Sequence, residues 1–220
     1  AVSLATQIQF VLSLFYAALT IGTTILAAQY WGKHNREAVE HILAFATTLS
    51  VLISTVFFMA ALLCPAMLMR IFTNEETLIQ AGAGYLHTVS WSYLLAAVSQ
   101  IYLCIMKNSG RALKSTLYSI TSMTLNILLN AILIFGLFGF PKLGIVGAAI
   151  ATVIARLVEL ALVLCENARP DVVRLRLSNI VHTNRILKKD FWRYTSPVLA
   201  NELVWGCGFT MFTVIMGHLG

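Results

Sequence analysis

The stretch YTSPVLANELVWGCGFTMFTVIMGHLG, residues 194–220, holds one charged residue, Glu202. An isolated carboxylate in hydrocarbon is expensive, so it must face a protein interior or a water cavity and either be protonated or hold a cation. Both states make Glu202 a candidate ion-coupling and substrate-binding group. A structural hydrogen bond between helices is the alternative. Pro197, five residues earlier, frees a backbone carbonyl that is a second candidate cation ligand.

A second polar set lies in SMTLNILLNAILIFG, residues 122–136. Asn126 and Asn130 are four apart and share a helix face. Thr152, in the next apolar run, is a candidate neighbour across the interface. These groups could equally be a polar site or interhelical glue. Arg156 and Glu159 are three apart and are expected to form a structural ion pair at the cytoplasmic end of their span.

No phosphate-cradling glycine loop, nucleophile elbow or zinc motif is present. That argues against an ATP-driven pump within this piece and against a membrane protease. With one mid-membrane acid and no partner base, no enzyme activity and no cofactor are expected. Cys64, Cys104, Cys165 and Cys207 show no CxxC pair and no histidine at ligand spacing, so they read as free thiols. His34, His41, His87 and His182, in or near loops, and His218 near the end form no metal spacing.

The elements that must carry these groups follow from composition. Of 220 residues, 59% are hydrophobic and 11% charged, against about 25% charged in ordinary soluble domains. Charge-free runs cover 1–32, 41–69, 77–106 and 115–141, each longer than the roughly 20 residues that cross a hydrocarbon core. A fifth run, 143–165, is interrupted only by Arg156 and Glu159, and residues 194–220 form the sixth. The runs are long and do not alternate polar with apolar, so they predict helices rather than barrel strands. The expected class is an all-α polytopic membrane protein, multi-pass in an inner or plasma membrane.

The expected helices run over about 3–28, 42–66, 79–106, 115–138, 143–165 and 194–220. GIVGAAIAT, residues 144–152, supplies small residues for close helix approach. Twelve Lys and Arg fall in the 29–40, 107–114 and 166–195 loops, against two, Arg70 and Lys142, in the alternate loops. The positive-inside bias places the twelve in the cytoplasm. Such flanking residues also explain the net charge of +6 without nucleic acid. In segment 166–193, Ile180, Val181, Ile186, Leu187, Phe191 and Trp192 recur at helical spacing. A surface helix on the leaflet, an interdomain linker and a solvated loop are all open for it. The chain begins at Ala1 inside an apolar run, shows no signal peptide and is expected to be a fragment.

TTILAAQYWGKHNREAV (23–39), LNILLNAILIFGLFGFPKLGIVGAAIATVIAR (125–156) and SPVLANELVWGCG (196–208) resemble the multidrug and toxic compound extrusion (MATE) family. The resemblance runs through the whole chain and places it from the family's second helix to its seventh. It implies a twelve-helix, two-lobed transporter. Residues 1–165 would be most of the first lobe, 166–193 the interlobe linker and 194–220 the first helix of the second lobe. It also implies export of cationic or amphipathic compounds by alternating access, in exchange for Na⁺ or H⁺, by a monomer in the lipid bilayer. Glu202 matches the family's acid on the seventh helix, and Asn126, Asn130 and Thr152 match its first-lobe polar cluster. Some members carry an aspartate where Asn130 stands, which weakens a proton site in the first lobe here. A lipid-linked oligosaccharide flippase of the same superfamily and an inactive truncated fragment are the rival readings. The flippase would need a basic cavity.

Overall fold

The computed structural model describes residues 2–139, 141–176, 179 and 185–219. Among the described residues eight α-helices carry the fold: α1 (Val2–Gly32), α2 (Arg36–Leu63), α3 (Pro65–Arg70), α4 (Glu76–Val89), α5 (Trp91–Asn108), α6 (Ala112–Phe135), α7 (Gly144–Asn167) and α8 (Arg185–Leu219). Five are long and apolar enough to cross a membrane by themselves, and α4 with α5 makes a sixth, broken span. The chain is therefore an all-helical polytopic membrane protein whose outer faces contact lipid.

Local chemistry sets the helix ends. Asn35 caps α2 by accepting a hydrogen bond from the Ala38 amide at 3.0 Å. Gly136, with φ at +72°, ends α6 in the left-handed conformation that an L side chain resists. The continuous helix expected over 79–106 is instead bent by 46° around Ser90. Ser90 Oγ donates to the His87 carbonyl at 2.9 Å and Ser92 Oγ to the Val89 carbonyl at 2.7 Å. These side-chain bonds compete with the helical ladder at the break.

Two apolar cores stack along the bundle. One joins the second half of α1 with the first half of α2, the end of α5 and Val163. The other joins the start of α1 with Met69, Phe72, α4 and Ala149. Close approaches need missing side chains: a Cβ on Gly147 would stand 2.7 Å from the Leu133 carbonyl oxygen, where α6 meets α7. A Cβ on Gly22 would lie 1.9 Å from Thr195 Oγ1, where α1 meets α8.

The segment after α7 is anchored rather than freely solvated. Val172 and Val173 are buried, and Tyr102 donates to the Val173 carbonyl at 3.2 Å. Asn167 and Leu175 exchange two hydrogen bonds, and the Arg174 amide reaches Glu40. Helix α8 begins at Arg185, so its first turns and the last apolar run are one continuous helix. Leu187 and Phe191 pack into the first core, with the Phe191 ring edge-on to Phe45. These contacts replace a leaflet-surface helix at those two positions, while Ile180, Val181 and His182 lie outside the described residues.

Candidate functional site

Helix register and one interhelical contact build the polar cluster. Asn130 Nδ2 donates to Asn126 Oδ1 at 3.0 Å, and Asn126 Nδ2 donates to Thr152 Oγ1 at 3.3 Å. Thr152 in turn donates to the Ala148 carbonyl at 3.0 Å. The three residues expected to meet across α6 and α7 do meet. Among the described residues, Asn130 Oδ1 is buried and has no hydrogen-bond partner.

Asn126 and Thr152 line a cavity of about 410 Å³ together with Gln9, Gln100, Arg156 and Glu159. A second cavity, about 270 Å³, shares Gln9, Gln100 and Arg156 and extends along α1 past Tyr16. Tyr16 is held in place by its hydroxyl, which bonds Ser54 Oγ at 2.7 Å and the Tyr93 carbonyl at 2.9 Å. Gln100 also borders a third cavity, about 330 Å³, beside Thr24, Cys104 and Asn108.

The Arg156–Glu159 pair forms, at 2.7 Å, but its position differs from the expected one. Arg156 lies twelve residues from the start of α7 and eleven from its end, so the pair is mid-helix rather than at the cytoplasmic edge. Gln9, Gln100 and Tyr16 were also missed as site residues. Their signal was faint: single polar groups in long apolar runs.

Glu202 stands apart from this cluster and is absent from the lining of both cavities. It is half-buried on α8 and makes no hydrogen bond or ion pair among the described residues. One turn further on, Gly206 packs on Leu14 of α1, and Phe10 meets the rings of Trp205 and Phe209. Leu203, Gly206, Val11 and Leu14 border an apolar cavity of about 270 Å³ there. Pro197 lies inside α8 and frees the Arg193 carbonyl. Nine residues separate that carbonyl from Glu202, about 13 Å along the helix, so the two cannot hold one ion together.

A third carboxylate escaped the sequence reading. Glu166, with a side-chain exposure of 0%, accepts hydrogen bonds from Arg111 at 2.6 Å, Lys114 at 3.3 Å and Tyr118 at 3.0 Å, and forms an ion pair with Arg169 at 3.3 Å. Arg111 also pairs with Asp171, and this contact holds the exposed Asp171 carboxyl below its ordinary range. The cluster ties the start of α6 to the end of α7.

A family model described as MatE matches residues 1–132, well over half of the chain. The chain belongs to the MatE family. This is a family of transporters and not of enzymes. An uncharacterized transporter, YisQ, of Bacillus subtilis is 27% identical over 99% of this chain and 48% of its own length. A probable multidrug resistance protein NorM of Thermotoga maritima is 26% identical over 98% of this chain and 46% of its own. A crystal structure of MATE in the bent conformation matches with a TM-score of 0.80 at 21% identity, covering 91% of this chain and 44% of that one. The MatE chain thus spans about half the length of the curated relatives it matches.

Proposed function

We propose that the complete protein is a secondary active transporter that exports cationic or amphipathic compounds in exchange for Na⁺ or H⁺ by alternating access. In this reading residues 1–165 supply most of one lobe, 166–193 link it to the next, and 194–220 open the second lobe. The protein would sit in a cell's inner or plasma membrane as a monomer, with small organic cations as substrates. The relatives named above include a probable multidrug resistance protein, which supports the substrate class.

One observation carries the coupling role. Glu202 is a carboxylate on a membrane helix with no protein partner among the described residues. A charge in that setting is stabilised by binding a cation or a proton. Occupancy then biases one arrangement of the lobes over another, provided the ion binds the two arrangements with different affinity. Substrate cation and coupling ion compete for the carboxylate, which gives exchange. Asn126, Asn130 and Thr152 would serve as neutral polar contacts in the first lobe.

The test is efflux of ethidium from cells expressing the complete reading frame, under imposed Na⁺ and H⁺ gradients. Wild type is expected to export, with the effective gradient naming the ion, and Glu202→Gln to lose gradient-driven export. Export by Glu202→Gln at the wild-type rate would assign coupling elsewhere.

A further inference from the structure

The export reading leaves one cavity group unused, a guanidinium midway along α7. Arg156 borders both the 270 Å³ and the 410 Å³ cavities, and its side chain is 30% exposed. Arginine offers five N–H donors in a rigid planar fork. Among the described residues, its hydrogen bond goes to Glu159 Oε2 alone. That carboxylate is 2% exposed and takes a second hydrogen bond from Ser99 Oγ at 3.3 Å. Glu159 is thus fixed from behind by α5, while the guanidinium lies open to the cavities.

The charge pattern of the lining selects against some ligands. Arg156 and Glu159 are the charged residues lining these two cavities, and they neutralise each other. A simple organic cation entering here meets the guanidinium and must displace it from Glu159. A carboxylate instead finds open donors matched to its own two oxygens, in a setting where low dielectric strengthens the pair. Glu159 Oε1 accepts no hydrogen bond among the described residues, and Glu159 borders the larger cavity. An amine on the same ligand therefore has an acceptor near at hand. Gln9 and Gln100 add amides that donate or accept.

We propose that Arg156 is a specificity-determining residue that binds the carboxylate of zwitterionic amphiphiles in the cavity between α1, α5, α6 and α7. This rests on the reading of the chain as part of an exporter, and it narrows the substrate class from cations to molecules carrying both charges. Repulsion of singly charged cations by Arg156 contributes to the selectivity as much as attraction of the carboxylate does.

The test uses the purified complete protein and a matched pair of dyes, rhodamine B, which carries a carboxylate, and its ethyl ester, which does not. Fluorescence titration gives both dissociation constants without any ion gradient. Arg156→Gln is expected to weaken rhodamine B at least tenfold and to leave the ester within twofold or bind it more tightly. Because that variant strands Glu159, the double variant Arg156→Gln/Glu159→Gln is titrated as well, and it should keep the selective loss. Arg156→Lys should recover part of the affinity for rhodamine B. Equal changes for both dyes in the folded double variant, or a wild type that binds the ester alone, would overturn the proposal. A selective loss in a protein that exports neither ethidium nor rhodamine B would refute the export reading and leave the binding assignment standing. Export with an unchanged dye ratio would do the reverse.

Discussion

Glu166 and Glu202 are the same residue on two long apolar helices, and their surroundings could hardly differ more. Glu166 is fully enclosed and gathers Arg111, Lys114 and Tyr118 from the start of α6 and Arg169 from just past its own helix. Glu202 is half-buried and collects none among the described residues. A carboxylate whose lone pairs are satisfied by the protein is a fastener, because any ligand would have to break existing bonds. A carboxylate left without partners is open to an ion. Glu159 falls between the two: it is buried and paired, but its partner Arg156 is open to a cavity.

The contrast is sharpest in stability. Glu166→Ala leaves Arg111, Lys114 and Arg169 around an emptied site and should cost about 3 kcal/mol. The midpoint of thermal unfolding of the complete protein in detergent measures it. A loss below about 1 kcal/mol would remove the distinction between fastener and site. Asn126→Ala comes next, since it removes both the acceptor of Asn130 and the donor to Thr152. About 1 kcal/mol is expected by the same measurement, in the range of interhelical hydrogen bonds in membranes. No change would mark the amide chain as slack.

Glu202→Gln should alter stability by less than about 0.5 kcal/mol, as expected where no partner is lost. Its export defect would then be out of proportion to its structural effect. A large destabilisation would instead make Glu202 a second fastener. The smallest effect concerns pH. Asp171 has its carboxyl lowered chiefly by the hydrogen bond from Arg111. Its contribution is therefore present above the unfolded carboxylate range, near pH 4, and is lost as pH falls through the lower folded value. Asp171→Asn should flatten that acid-side decline slightly in an unfolding series from pH 6 to 3. An unchanged slope would show that the Arg111 contact adds nothing in solution.

The shared face of Asn126 and Asn130 was legible because α-helical register is a property of neighbouring residues, whereas Thr152, on another helix, was only a candidate until packing brought it to Asn126. Asn126 and Asn130 share a face at any four-residue spacing, whatever surrounds the helix. The same rule gave the Arg156–Glu159 pair. It could not say that the pair borders two cavities and meets Ser99 of α5, since those contacts come from packing. Nor could it find the break at Ser90, where serine side chains compete for carbonyls inside an apolar run of unbroken appearance.

The sequence by itself determined the solvent, the all-helical class, the six spans and the register of polar groups along each, because hydrophobicity and helical period act over one or two turns. Only the tertiary structure decided which faces meet. It brought Gln9, Gln100 and Arg156, residues far apart along the chain, to shared cavities. It also surrounded Glu166 with donors while leaving Glu202 without one among the described residues. Those outcomes follow from helix packing, where a glycine at 22 or 147 sets how closely two helices approach, and no local pattern encodes a partner that lies on another helix.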